Sequence, residues 1–251
     1  MNILAVYSIK GGVGKTSSAV NLAFIAAHSG FRTLVWDLDP QGASSYYFRI
    51  KPKIKGGSKN LIAGKRELDG LIKGTDFENL DLLPSDFSFR NLDLILDAKK
   101  KPTLQLKKLL KPLEEDYDII FLDCPPSISL LSEAVFEAAD VLLSPTIPTT
   151  LSLRALAQLK IFIAEKNLAK LTLIPFFSMV DRRKKMHKDI MRDLLEKHPE
   201  MLGTIIPYAS DIERMGLERR PLGSYLKKGP SVVAYNGLWQ EILERMAIPS
   251  R

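Results

Sequence analysis

The run Lys10-Gly11-Gly12-Val13-Gly14-Lys15-Thr16 constrains this chain more than any other stretch of it. Its three glycines permit a loop whose successive backbone N–H groups turn inward toward one point. Before the loop stands Ile3-Leu4-Ala5-Val6-Tyr7-Ser8, an apolar run of the kind that makes a buried parallel strand. After it, residues 17–29 carry Val20, Leu22, Ala23, Ile25 and Ala26 at helical spacing, and Gly30 is a natural stop. Strand, glycine loop and helix in that order put a helix N-terminus, with its partial positive charge, behind a cradle of amides. The ligand that suits such a cradle is a phosphate. Lys15 then sits where an ammonium bridges the β- and γ-phosphates of a nucleotide, and the Thr16 hydroxyl sits where it ligates Mg2+.

Two further strand ends carry carboxylates. Thr33-Leu34-Val35-Trp36 runs into Asp37-Leu38-Asp39-Pro40-Gln41-Gly42. Tyr117-Asp118-Ile119-Ile120-Phe121-Leu122 runs into Asp123-Cys124-Pro125-Pro126-Ser127. An Asp at the C-terminal end of a buried strand lies on the binding edge of an open α/β sheet. An apolar strand ending in Asp is common, but the three segments in this order reinforce one another.

Together they resemble the ParA/MinD family of ATPases. The loop is similar to that family's deviant Walker A form, with Ile9 in the place of the ordinary first glycine and Lys10 as the extra lysine. Residues 37–42 resemble the family's D-x-D-P-Q-G switch, and residues 123–127 its D-[TC]-P-P-S segment. The resemblance implies that Lys10, Gly11, Gly12, Val13, Gly14, Lys15, Thr16 and Ser17 bind ATP. It implies a catalytic set of Asp39, which orients the attacking water, Lys15, and Lys10, which reaches the nucleotide of a partner subunit in an ATP-bound homodimer. Thr16, Asp37 and Asp123 are the implied Mg2+ residues. Asp181 and Arg183, which keep a D-x-R spacing, and Pro207 and Tyr208 of Ile206-Pro207-Tyr208 are the implied contacts near the adenine base. Four departures accompany the match: Ala43 stands where the family usually has Asn, Thr149 where many members have Glu, Asp211 where small members often have Arg, and the Asn near Asp181 is missing.

The rest of the chain continues the alternation, with helices expected at about 129–138, 151–166 and 186–197 and strands at 141–144, 171–177 and 204–206. That rhythm predicts an α/β fold, a doubly wound, mainly parallel sheet with helices on both faces, as one P-loop ATPase domain over residues 1–251. Lys51, Lys53, Lys55 and Lys59, interleaved with Pro52, Gly56 and Gly57, read as an exposed, mobile loop. A strand at 80–83 precedes a helix capped by Ser85 or Asp86 that runs to about Lys100, where Lys99-Lys100-Lys101 suits the dipole. Pro102 breaks that helix, and a second short one is expected at 103–113. Residues 231–246 put Val232, Val233, Tyr235, Leu238, Trp239, Ile242 and Leu243 on one face, the pattern of core packing.

Composition narrows the function classes. No apolar run approaches the ~20 residues that span a bilayer, and the N-terminus lacks the basic-then-apolar pattern of a secretion signal. The single cysteine, Cys124, excludes an internal disulfide, suits a reducing compartment, and reads as a small buried hydrophobe. It also leaves no cluster ligands for a nitrogenase-reductase-like electron carrier. The net charge of +7 admits nucleic acid or an anionic membrane as a partner. Within the resembled family that surface separates the branches. ParA proteins ride on nucleoid DNA, and MinD proteins on membrane through a basic amphipathic C-terminal helix. Glu241, Glu244 and Arg245 on the polar side of residues 231–246 lack such a basic face. The expectation is therefore a small Soj-like member, or a related McdA-like one: cytoplasmic, nucleoid-associated, without stable membrane binding. Its expected DNA contacts are Arg182, Arg183, Lys184, Lys185, Lys188, Arg214, Arg219 and Arg220, made without sequence preference. A ParB-like or McdB-like activator, and a plasmid, chromosome or protein organelle such as a carboxysome as cargo, complete it. The alternatives are a membrane-associated MinD-like ATPase or a metabolic P-loop ligase, for which no substrate constellation is visible in the sequence.

Overall fold

A computed structural model of the chain describes residues 1–63, 68 and 70–249. Ile3, Leu4, Ala5 and Val6 include no polar residue, so their strand has to be covered on both faces. It becomes β1 (Asn2–Val6), and the other strands are β2 (Thr33–Asp37), β3 (Lys73–Gly74), β4 (Leu80–Leu83), β5 (Ile119–Asp123), β6 (Val141–Thr146), β7 (Thr172–Val180) and β8 (Ile205–Pro207). Among the described residues they form one eight-stranded sheet, ordered β3-β4-β2-β5-β1-β6-β7-β8. Every pairing is parallel except β3 with β4, as the alternation of strand and helix predicted.

The helices are α1 (Lys15–His28), α2 (Ala43–Tyr47), α3 (Gly57–Ile62), α4 (Leu92–Asp97), α5 (Gln105–Leu110), α6 (Leu130–Ala138), α7 (Thr150–Glu165) and α8 (Lys185–Lys197). Three single turns follow, α9 (Ser210–Glu213), α10 (Met215–Glu218) and α11 (Leu222–Tyr225), before the long α12 (Pro230–Met246). Because successive strand residues point to opposite faces, Ile3 and Ala5 of β1 join one core with α3 to α6, while Leu4 and Val6 join another with α1 and α12. A smaller core under α7 and α8 holds Leu156, Phe177, Val180 and Leu194. Cys124 is buried, as expected of a small hydrophobe.

The stretch between β2 and α6 departs from expectation. Asp86 is the cap, accepting from the Ser88 amide at 2.9 Å, but it starts a 3-10 turn, Phe87–Asn91, and α4 ends at Asp97, before the three lysines. The expected second helix breaks into a 3-10 turn, α5 and another 3-10 turn, Lys111–Glu114, because Pro112 has no N–H to continue the α-helical ladder. Lys51, Lys53, Lys55 and Lys59 are exposed, yet their segment is anchored: Ile54, Ser58, Leu61 and Ile62 between and after them are buried. The Ile54 amide donates to Asp86 and the Ser58 amide to Ser88, each at 2.8 Å. Parts of that segment, residues 64–67 and 69, lie outside the described residues.

Candidate active site

Parallel pairing brings the C-terminal ends of β1, β5 and β2 side by side, with Val6 opposite Asp123 and Asp123 opposite Asp37. The glycine loop leaves the first of these ends. Gly12 (φ 68°) and Gly14 (φ 87°) take left-handed conformations, and Gly14 directly precedes α1. A Cβ on Gly14 would lie 2.9 Å from Ser178 Oγ, which donates to the carbonyl of buried Val13 at 2.8 Å. The Ser17 hydroxyl donates back to the Gly14 carbonyl at 3.2 Å. Gly14→Ala is accordingly expected to lower stability by about 1 kcal/mol or more, since both conformation and space are wrong for a side chain. A urea titration checks this through a lower midpoint at an unchanged slope.

Lys15 opens α1 and is buried, which pulls its ammonium below the ordinary lysine range while the charges of Asp123 and Asp39 oppose the shift. Lys10 takes a different course. Its Nζ donates to Ser152 Oγ of α7 at 3.2 Å, and Thr149 Oγ1 donates to the same oxygen at 3.1 Å.

Asp37 and Asp123 are wholly buried. Asp37 Oδ2 accepts from both the amide and the hydroxyl of Ser45, at 2.8 and 2.7 Å, and Asp123 Oδ2 accepts from Ser44 Oγ at 2.8 Å. Burial pushes both carboxyls up from the ordinary range. For Asp37 the neighbouring Asp123 charge adds to the shift; for Asp123 the Ser44 and Thr16 hydroxyls and Lys15 oppose it. The Oδ1 atom of each has no partner in the protein. Two buried, unsatisfied carboxylate oxygens, with the Thr16 hydroxyl beside Asp123, form a donor set that suits a hydrated divalent cation. Among the described residues no group of three or more His, Cys, Asp or Glu could cage a metal, so the fit is to an ion that keeps waters and ligand oxygens. Asp39, half-buried, accepts from the Gln41 amide through Oδ1 at 2.9 Å, and its carbonyl accepts from Gly42 N at 2.9 Å and Ser85 Oγ at 2.5 Å. Ser44, Ser45 and Ser85 were not expected here. Hydroxyls after a turn look solvated in a sequence, and only their complete burial reveals their use.

Beside the loop lies a cleft of about 230 Å³ lined by Gly12, Gly14, Ser17, Tyr47, Met179, Pro207, Tyr208 and Tyr235 among others. Met179 holds a left-handed φ of 52° on its wall. Pro207 and Tyr208, the residues expected near a base, line this cleft, whereas Asp181 and Arg183 are not among its lining residues. They pair with each other at 2.9 and 3.0 Å, and Arg183 holds the Asp181 carboxyl down to about 2. The amide of Asp181 donates to Nδ1 of buried His187.

The basic residues divide into two groups. Arg182, Lys184, Lys185 and Lys188 are exposed at and before the start of α8, with no ion pair among the described residues, and Arg183 is exposed beside them. Arg214 and Arg220 grip Glu218 at 3.2 and 3.0 Å, and Arg219 stacks on Tyr46 at 4.4 Å.

Comparison with known proteins supports the P-loop fold and the family. A family model described as "AAA domain" matches residues 1–172. The chain is 29% identical over 241 residues to the chromosome-partitioning ATPase Soj of Treponema pallidum, covering 94% of each chain. A plasmid partition protein from Borrelia burgdorferi bound to AMPPNP superimposes with a TM-score of 0.85 at 24% identity, over 97% of this chain and 99% of that one. Apo McdA from Cyanothece gives 0.83 at 25%, over 97% and 99%. Cobyrinic acid a,c-diamide synthase from Mycobacterium smegmatis, with an ATP analogue and magnesium, gives 0.82 at 24%, over 98% and 96%. Near 24% identity such likeness speaks for the fold alone.

Proposed function

This chain belongs to the AAA-domain family, in its ParA/MinD group of P-loop ATPases, and on that premise we propose that it is an ATP-driven positioning protein acting as one unit over residues 1–251. It binds ATP with Mg2+, forms an ATP-bound homodimer, associates with DNA irrespective of sequence, and distributes a cargo with the help of an activating partner. The observation that carries the reading is the convergence at one sheet edge of the glycine loop with Lys15, the Asp37–Asp123 pair with its two unsatisfied oxygens, and the Asp39 turn.

In this reading the loop amides and Lys15 hold the phosphates, and Mg2+, when bound, neutralises charge on their oxygens. Thr16 and the Oδ1 atoms of Asp37 and Asp123 would hold the ion and its waters. Asp39 orients the attacking water for hydrolysis to ADP and phosphate. The cleft lined by Pro207 and Tyr208 takes the base. Lys10 leaves Ser152 to meet the partner's nucleotide in the dimer. Arg182, Lys184, Lys185 and Lys188 are the DNA-facing charges this structure supports, whereas Arg214, Arg219 and Arg220 are engaged within the subunit.

Membrane attachment through α12 is disfavoured by its packing. Leu238, Trp239, Ile242 and Leu243 are buried, and Trp239 meets Phe31 and Phe121 at ring distances of 6.1 and 6.2 Å. Freeing that face would forfeit roughly 1.5–3 kcal/mol for each buried aliphatic side chain. Among the described residues no helix is long and apolar enough to cross a membrane.

Co-sedimentation with duplex DNA tests the proposal. The protein with a non-hydrolysable ATP analogue should bind DNA of any sequence, and the nucleotide-free protein poorly. If each subunit of a dimer neutralises about four phosphates, doubling the salt should weaken binding about 100-fold. Combined Arg182→Glu and Lys185→Glu should weaken binding tenfold or more on every sequence and leave nucleotide affinity unchanged. A protein that ignored DNA at low salt and pelleted with anionic vesicles would overturn the DNA reading in favour of a membrane one.

A further inference from the structure

We infer that Ser45 and Ser85 are positioning residues for Asp39, forming a buried hydroxyl relay that ties the Asp39 turn to the Asp37 carboxylate. The inference rests on the proposed role of Asp39 and extends it to two side chains from separate parts of the chain.

The relay is complete and its direction is set by proton count. The Ser45 hydroxyl spends its one proton on Asp37 Oδ2, at 2.7 Å, so its oxygen is left to accept, and it accepts from the Ser85 amide at 3.0 Å. The Ser85 hydroxyl in turn donates its proton to the Asp39 carbonyl at 2.5 Å. Both serines are 0% exposed, so water does not compete for these bonds. The bond to Asp37 is doubled by the Ser45 amide at 2.8 Å, which anchors the first turn of α2 to the end of β2. At the other end, Gly42 N closes the turn on the same Asp39 carbonyl at 2.9 Å, and Gly42 has a φ of 66°. A Cβ there would meet Pro52 at 2.9 Å, so the turn sits in a fitted socket. Asp39 is therefore held through its main chain, while among the described residues its carboxylate takes only the local Gln41 amide. A side chain that must aim a water molecule needs such support, because displacement by about 1 Å can cost on the order of 100-fold in rate.

The test compares Ser85→Ala, Ser45→Ala and Ser45→Thr with Asp39→Ala, in the full chain. Ser85→Ala and Ser45→Ala should lower ATP turnover about 10- to 100-fold with the affinity for a fluorescent ATP analogue within about twofold. Ser45→Thr, which keeps the hydroxyl, should restore most of the turnover. In the nucleotide-free protein, amide exchange at Gly42 should quicken at least about tenfold in both alanine variants while the β2 amides stay protected. Wild-type turnover and unchanged Gly42 exchange in the alanine variants, beside an inactive Asp39→Ala, would overturn the relay and leave the role of Asp39 standing. Faster exchange throughout the sheet would mark a general loss of stability and overturn it as well. If Asp39→Ala itself turned over normally, the Asp39 reading would fall, and Gly42 exchange would still decide whether the relay holds the turn.

Discussion

Asp39→Ala is expected to bind ATP and Mg2+ normally, to hydrolyse ATP roughly 100- to 10,000-fold more slowly, and to accumulate as a dimer. The rate range is that of a lost positioned group acting on a proton or water in the transition state. Binding is expected to survive because in the proposed reading the loop amides and Lys15 hold the phosphates, and because Asp37 and Asp123 are untouched. The turn should also persist, since the Asp39 carbonyl, not its carboxylate, takes the bonds from Gly42 and Ser85. Phosphate release and sedimentation of the same sample with ATP check the two halves together. Unchanged turnover would remove Asp39 from this role.

Lys15→Ala should fail one step earlier. Lys15 is 8% exposed, and its ammonium stands near the Asp123 and Asp39 charges, so the site carries its cation in a partly dry setting. Removing it leaves the β- and γ-phosphates to face those carboxylates with amides alone. Nucleotide affinity is expected to fall roughly 100- to 1000-fold, about 3–4 kcal/mol. Lys15→Arg should not rescue it, because a planar guanidinium does not fit where a compact ammonium is buried. Titration with a fluorescent ATP analogue checks both variants, and near-normal affinity in Lys15→Ala would show that the loop binds without it. The two variants then separate binding from hydrolysis at one sheet edge.

What could be read without coordinates was local. Over residues 3–29 the apolar run, the glycine placement and the helical spacing mark a strand, a loop and a helix, and with them the loop expected to cradle phosphate, although the strand itself is completed by pairing with β5 and β6. The same holds for the strand-end carboxylates Asp37 and Asp123, whose strands are apolar runs that stop at an acid. The stripe of α12 likewise foretold the burial of Tyr235, Leu238, Trp239, Ile242 and Leu243, but Val233, placed on the same face, is 69% exposed in the first turn of the helix and Val232 is only half-buried. Even the departures had local causes, as Pro112 shows in dividing the expected helix.

Tertiary structure decided what distant residues do to one another. Strand order alone sets Asp37 against Asp123, and that adjacency creates the pair of unsatisfied oxygens. The sequence assigned no role to Ser44 and Ser45 and offered Ser85 only as a helix cap; they matter because folding closes them off from water and leaves the carboxylates and the Asp39 carbonyl as their partners. The arginines at 214, 219 and 220 match the lysines at 184, 185 and 188 in charge, yet Glu218 and Tyr46 occupy the former and leave the latter to solvent. Asp181 and Arg183 keep the spacing of a base contact but satisfy each other instead. Spacing along the chain determines which groups a segment presents. Burial and pairing determine which of them remain free to act, and these depend on segments that meet only when the sheet is assembled.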